Sequence, residues 1–219
     1  MGFESFSAFT TWFAAGSQAL QAGAFTLWGT PVTWLEVVAS LLGLAMVGFN
    51  LRVHPAGWPL AIASAALYAL VFWHGRLYGQ AALQLLFIGV SAWGWRQWLR
   101  GTDATGGELR VGWMQPRQRL AAAAATLAAW PLLGGLLAAG TDSAAPALDA
   151  LTTVGSVAGQ LLLARKRVEN WPVWLAVNVL SVTLFVHAGL WPTALLYAVF
   201  AALAAWGWVH WSRLAARSA

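Results

Sequence analysis

Trp58-Pro59 opens a stretch that closes on Trp93-Gly94-Trp95-Arg96-Gln97-Trp98, and the chain uses it again from Trp171-Pro172 to Trp206-Gly207-Trp208-Val209-His210-Trp211. At a constant offset of 113 residues and without a gap, residues 58–98 and 171–211 agree at 15 of 41 positions, Phe72 with Phe185 and His74 with His187 among them. A chance overlay in so apolar a composition gives about four or five. Upstream the match continues with Glu36 over Asp149 and Arg52 over Arg165. The unit is an internal duplication of about seventy residues, and any fold must account for it.

Of the 219 residues 60% are apolar and 9% charged, with a mean hydropathy of +0.66. A soluble domain carries about a quarter charged residues, so the chain reads as a membrane protein whose principal partner is the lipid bilayer. Without cysteine it can form neither a disulfide framework nor a thiolate metal site. A net charge of +5 and a pI near 10.8 would suit a nucleic-acid binder. The basic residues, however, fall in loops between apolar runs, where they set membrane orientation; no nucleic-acid partner is expected. Residues 1–30 lack the basic start and continuous apolar core of a cleavable signal peptide.

Working outward from the repeat, the expected spans are 33–51, 58–75, 78–98, 119–140, 146–164, 171–188 and 190–211. Each is long enough to cross a hydrocarbon layer of about 30 Å at 1.5 Å per residue, allowing for tilt. Before them, residues 5–28 place Phe6, Phe9, Trp12 and Phe13 at helical spacing but carry Ser17, Gln18 and Gln21. That stretch reads as an amphipathic interfacial helix, with an eighth span as the alternative. Arg52, Arg96, Arg100, Arg110, Arg117, Arg119, Arg165, Lys166, Arg167, Arg213 and Arg217 then share one side, and Arg76 lies on the other. The basic side is the cytoplasm, which puts the N-terminus outside and the C-terminus inside.

Three helices per repeat is an odd number, so a direct connection would invert the second copy. The arginines argue against inversion, and the unmatched span 119–140 supplies the extra crossing. The expected fold is an all-α integral membrane protein of seven transmembrane helices in a 3+1+3 parallel pseudo-symmetric repeat, the arrangement of SWEET-type sugar transporters. Its parts are an interfacial segment 1–32, a first repeat 33–98, a loop and linker helix 99–145, a second repeat 146–213 and a tail 214–219. Substrate sites of such folds lie near the repeat interface.

Polar side chains inside spans are costly and mark candidate sites. In the third span Gln80, Gln84, Ser91 and Trp95 are spaced four, seven and four apart and share a helix face; in the sixth, Trp174, Asn178, Ser181 and Phe185 do the same. An amide beside a flat aromatic suits a planar, hydrogen-bonding solute. Gln160 and Tyr197 are further inward candidates. The same residues could instead hydrogen-bond helix to helix; the combination of Gln84, Trp174 and Asn178 favours binding. Under the offset Gln84 falls on Tyr197, Ala65 on Asn178 and Gln80 on Thr193. Packing residues are kept between the copies while polar ones differ, as an asymmetric solute in a pseudo-symmetric path requires.

Glu36, near the start of the first span, is a structural or coupling acid, and Asp149 at the matching place favours structure. Among the sixteen tryptophans, Trp58, Trp98, Trp113, Trp191, Trp206 and Trp211 lie near span ends and read as an interfacial belt. Gly155 and Gly159 form a GxxxG helix contact, Pro131 kinks the fourth span, and His74 and His187 read as surface residues. No nucleophile elbow, phosphate-cradling loop or metal-ligand cluster is present in the sequence, so neither an enzyme nor a metal or cofactor is expected.

The run Ala164-Arg165-Lys166-Arg167-Val168-Glu169-Asn170-Trp171, followed by Trp174 and Asn178-Val179, resembles the second-repeat signature of the PnuC family of vitamin transporters. Trp34-Leu35-Glu36, Leu77-Tyr78, Gln84 and Gly94-Trp95 with Trp98 match the first-repeat pattern of that family, and the resemblance covers residues 33–213. It implies a seven-helix facilitator that moves nicotinamide riboside across the bacterial inner (plasma) membrane by alternating access, without ion coupling. A cytoplasmic kinase that phosphorylates the imported vitamin would trap it inside. The family's contacts from inward polar and aromatic residues support Gln84, Trp174 and Asn178. Ser91 and Ser64 stand where some relatives carry asparagine, and relatives of the same fold carry thiamine or riboflavin, which stay open as substrates. Assembly into a homo-oligomer is also open.

Overall fold

Thr33 ends a hairpin and starts the first helix. In the computed structural model, which describes residues 22–74, 78–102, 106–141, 145–187 and 191–218, β1 (Gly23–Leu27) pairs antiparallel with β2 (Thr30–Thr33), Leu27 opposite Thr30. The two-residue turn Trp28-Gly29 has both φ angles positive, 48° and 81°, the geometry that matches strand twist in tight hairpins. Residues 23–27 are therefore strand rather than the end of an amphipathic helix; the rest of that expected helix, like Arg76 and Asp142, lies outside the described residues. Phe25 and Trp28 belong to that strand and its turn, whereas Phe6, Phe9, Trp12 and Phe13, whose spacing suggests the helix, lie outside the described residues.

Seven helices follow: α1 (Trp34–Leu51), α2 (Gly57–His74), α3 (Tyr78–Arg100), α4 (Pro116–Gly140), α5 (Pro146–Ala164), α6 (Asn170–His187) and α7 (Trp191–Ser218). α1, α4, α5, α6 and α7 are long and apolar enough to cross a membrane, and α2 has a shorter apolar stretch, Gly57–Val71. α3 is diluted by Gln80 and Gln84. α7 runs through the expected tail, because Arg213-Leu214-Ala215-Ala216 contains no helix breaker and Ala215 and Leu214 pack on the core. α4 continues unbroken through Pro131.

The helices pack α1 on α2 on α3, and α5 on α6 on α7; α3 also meets α5, and α7 meets α1. Under the offset of 113 those last two contacts are images of each other. α4 packs on α5 and buries none of its own residues, so it stands outside the repeated frame.

The duplication extends to single hydrogen bonds. In the α1–α2 turn, Val53 N donates to Asn50 O, His54 N to Phe49 O, Gly57 N to His54 O and Trp58 N to Pro55 O. In the α5–α6 turn, Lys166 N, Arg167 N, Asn170 N and Trp171 N donate to Leu163 O, Leu162 O, Arg167 O and Val168 O, each the residue 113 further on. Val53 and Lys166 both adopt the left-handed conformation, with φ of 54° and 51°. The turn was copied although most of its side chains have changed.

The main buried cluster lies at this end of the bundle. Trp58 and Trp98 meet edge to face at 5.4 Å and 85°, and Trp171 and Trp211 at 5.4 Å and 82°; Trp98 and Trp211 join the pairs at 6.1 Å. Each outer ring fills the space left by a glycine, since a Cβ on Gly94 would overlap Trp58 and one on Gly207 would overlap Trp171. Trp98 Nε1 donates to Leu163 O at 3.2 Å, and Trp211 Nε1 to Asn50 O and Leu51 O, both at 3.2 Å. Each repeat thus hydrogen-bonds the other's helix end. Within a bilayer apolar burial drives little helix association, so close fit and such bonds carry it. Trp58, Trp98 and Trp211, with exposures of 1%, 9% and 0%, form a core, whereas Trp113, Trp191 and Trp206 are exposed as a belt requires. Proximity to a span end did not distinguish the two roles; what does is a glycine on a facing helix, Gly94 for the Trp58 ring and Gly207 for the Trp171 ring.

Candidate binding site between the repeats

Side-chain hydroxyls and amides are buried along the two image-related seams. On the seam of α3, α5 and α6, Gln160 Nε2 donates to Ser91 Oγ at 3.0 Å, both residues being buried. Trp174, half-buried on α6, lays its indole against Gly159, where a Cβ would come within 3.0 Å of the ring; Gly155 similarly admits Val177. This close α5–α6 approach is the contact that the GxxxG spacing suggests. Asn178 and Ser181 follow Trp174 by one and two turns and are buried, Asn178 to 4% exposure. Among the described residues no hydrogen bond engages the Asn178 amide.

On the image seam of α7, α1 and α2 the chemistry changes. Tyr197 stacks obliquely on Phe185 at 5.1 Å and meets Phe200 edge-on at 6.1 Å. The Phe200 ring reaches α1, coming to 3.3 Å from where a Cβ on Gly43 would lie. Ser40 and Tyr68 share a hydrogen bond of 2.9 Å, and Ser64 Oγ donates to Ala39 O at 2.8 Å. The sequence reading passed over Ser40 and Tyr68. A signal existed, since Tyr68 lies over Ser181 under the offset.

The remaining candidates fall elsewhere. Gln84 is half-buried on α3, while Trp95 is 38% exposed and departs from the buried Ser91 one turn before it. The side chain of Gln80 lies outside the described residues. Glu36 is the third residue of α1 and closes a capping box: its Oε2 accepts from Thr33 N and Thr33 Oγ1, both at 2.8 Å, and Thr33 Oγ1 accepts from Glu36 N at 3.2 Å. Its carboxylate is engaged in starting a helix, where negative charge also complements the helix dipole. Among the described residues no group of three histidines or carboxylates could hold a metal.

Outside the spans, among the described residues, the loop before α4 braces the α5–α6 turn. Gly112 N donates to Lys166 O, Val168 N to Gly112 O, and Glu169 Oε1 accepts from Met114 N and pairs with Arg119 Nε at 2.7 Å. Lys166 Nζ donates to Leu109 O and sits 5.1 Å over the Trp98 ring. Burial pushes the Lys166 ammonium below the usual lysine range, with Glu108 opposing. The basic residues of this end thus gather around the tryptophan core.

The model of the nicotinamide mononucleotide transporter family matches residues 33–213. The riboflavin/roseoflavin transporter RibM of Streptomyces davaonensis is 32% identical over 196 residues, 88% of this chain and 91% of that one. The nicotinamide riboside transporter PnuC of Neisseria mucosa is 27% identical over 206 residues, 85% and 75% of the two chains; that of Escherichia coli is 24% identical over 212 residues, 84% and 89%. The crystal structure of the vitamin B3 transporter PnuC superposes with a TM-score of 0.71 at 27% identity, over 85% of this chain and 83% of the other.

Proposed function

Because the chain belongs to the nicotinamide mononucleotide transporter family, we propose that it is a membrane facilitator that takes up nicotinamide riboside. The observation that carries this reading is the pair of image-related seams with unlike contents: amide and indole on α3, α5 and α6, phenol and the Phe200 phenyl on α7 and α2, with serine hydroxyls on both. Nicotinamide riboside is itself two-sided, with a flat cationic carboxamide ring and a hydroxylated sugar. The Asn178 amide can donate to and accept from the carboxamide, and Trp174 offers its face to the ring. A cationic ring is also attracted to the electron-rich faces of Trp and Tyr, so no carboxylate is needed to bind it. Gln84, Gln160, Ser91 and Ser181 are within the same helices for the sugar hydroxyls, and Tyr197 and Tyr68 complete the opposite wall.

The repeated turns, the swapped indole bonds and the unmatched α4 support a parallel 3+1+3 arrangement about an axis along the membrane normal. With the arginines at the tryptophan end, that end is cytoplasmic, in a multi-pass protein of the bacterial inner membrane. Glu36 is committed to its helix cap, which leaves no evident in-span proton carrier; transport is facilitated diffusion, made one-way by a cytoplasmic kinase acting on the vitamin. Proteoliposomes containing the purified protein should accumulate labelled nicotinamide riboside only to equilibrium, independent of a pH gradient, and beyond it when a riboside kinase and ATP are enclosed. Accumulation driven by the gradient alone would overturn the mechanism.

A second reading is favoured by one finding, the 32% identity with a riboflavin/roseoflavin transporter. The same aromatic walls would accept an isoalloxazine ring, and Ser91 and Ser64 in place of asparagine leave more room. Riboflavin uptake with no nicotinamide riboside uptake in the same vesicles would select it.

A further inference from the structure

We propose that Trp98 and Trp211 form the inner gate of the transport path, held shut by indole hydrogen bonds exchanged between the repeats; this rests on the transporter reading above. The two residues are images under the offset of 113, so the axis relating the repeats passes between their rings, 6.1 Å apart. A solute path through a parallel repeat follows that axis. The paired rings therefore close it at the end where the basic loops gather.

The closure combines holding and opposing features. Holding it are the three indole bonds from Trp98 to Leu163 O and from Trp211 to Asn50 O and Leu51 O, with Trp58 and Trp171 as edge contacts on either side. Opposing it, among the described residues, are buried atoms without hydrogen-bond partners; besides Glu169 Oε2 they are Trp58 Nε1, Trp171 Nε1, Asn50 Oδ1 and Asn170 Oδ1. The last four are two donors, Trp58 and Trp171, which are images under the offset, and two acceptors, and water admitted by opening would satisfy all of them. Breaking the indole bonds is thus partly offset, and the layer is bistable rather than permanently sealed. The two sides differ in freedom. The Trp98 side is strapped through Lys166, Gly112 and the Arg119–Glu169 pair, while the α1–α2 turn that receives Trp211 has no corresponding strap among the described residues. Opening therefore starts where Trp211 leaves α1.

The chain has no cysteine, so one introduced at Ala65, buried on α2 at the position equivalent to Asn178, reports access from the cytoplasm without background. In inside-out vesicles without substrate, Trp211→Phe, which keeps the ring but removes the donor, should raise the rate of labelling by a membrane-impermeant thiol reagent about tenfold, the factor that one hydrogen bond of closure changes an equilibrium. Trp98→Phe should raise it less. Asn50→Leu, which removes an orphan acceptor and supplies the residue found at position 163, should lower it below the parent rate. Unchanged labelling in Trp211→Phe, or labelling in Asn50→Leu at or above the parent rate, overturns the gate. If labelling responds as stated while no vitamin binds, the substrate assignment falls and the gate stands.

Discussion

The first repeat, residues 33–98, and the second, 146–211, share a frame almost bond for bond and differ in what they place along the seams. Turn hydrogen bonds, left-handed residues, ring-on-glycine contacts and exchanged indole bonds recur at one offset. Yet Gln160 stands over Val47, Ser91 over Ala204, Trp174 over Ala61 and Tyr197 over Gln84. Duplication preserves what two equal halves need to fold and pack. Divergence falls on the seams, where the proposed function has each half touch a different part of an unequal solute.

If that division is right, changes to the seams should cost binding and changes to the frame should cost stability. The largest effect is expected at Trp174→Ala and Asn178→Ala, each weakening vitamin binding about a hundredfold, as buried anchor residues do. Their melting temperatures in detergent should stay near the parent's; unaltered affinity in both would mean the seam of α3, α5 and α6 is not the site. Next come Gly94→Ala and Gly207→Ala, which force a Cβ into an indole and should each destabilise by about 1–3 kcal/mol. Thermal unfolding should find the two penalties alike, and a severe effect at one glycine with none at the other would break the equivalence of the frames. Ser91→Ala removes the partner of the buried Gln160 amide and should weaken vitamin binding about tenfold in a binding titration. Tyr68→Phe, which breaks the bond to Ser40, should lower affinity by less than about tenfold if the phenol seam packs the ring rather than anchors it. The smallest effect belongs to Glu36→Gln, because glutamine also serves in a capping box. Uptake should be indistinguishable from the parent, whereas loss of uptake with stability intact would restore Glu36 as a coupling group.

Most of the helical frame was legible because hydropathy, proline and glycine all mark span ends, and because an odd repeat with every arginine but Arg76 on one side restricts the topology. The hairpin is not legible from the helical spacing of Phe6, Phe9, Trp12 and Phe13, which lie before it; only Trp28-Gly29, a turn pair, points to it. The tryptophan core was mistaken for a lipid belt, since a large amphipathic ring near a span end suits both. Trp95 illustrates a limit of helical-wheel reasoning: one turn from Ser91 it has rotated out of the seam. Ser40 and Tyr68 share no helix face with an in-span amide, the pattern by which Ser91 and Ser181 stand out, although Tyr68 lies over Ser181 under the offset. Glu36 is the reverse case, costly on its face and yet accounted for once its partner Thr33 is seen three residues away.

The most direct test of the central claim is calorimetric titration of the purified protein in detergent with nicotinamide riboside, riboflavin and thiamine at one salt concentration. The account predicts selective binding of nicotinamide riboside that is lost in Trp174→Ala. Selective binding of riboflavin or thiamine, or no heat from nicotinamide riboside at any concentration, would contradict it.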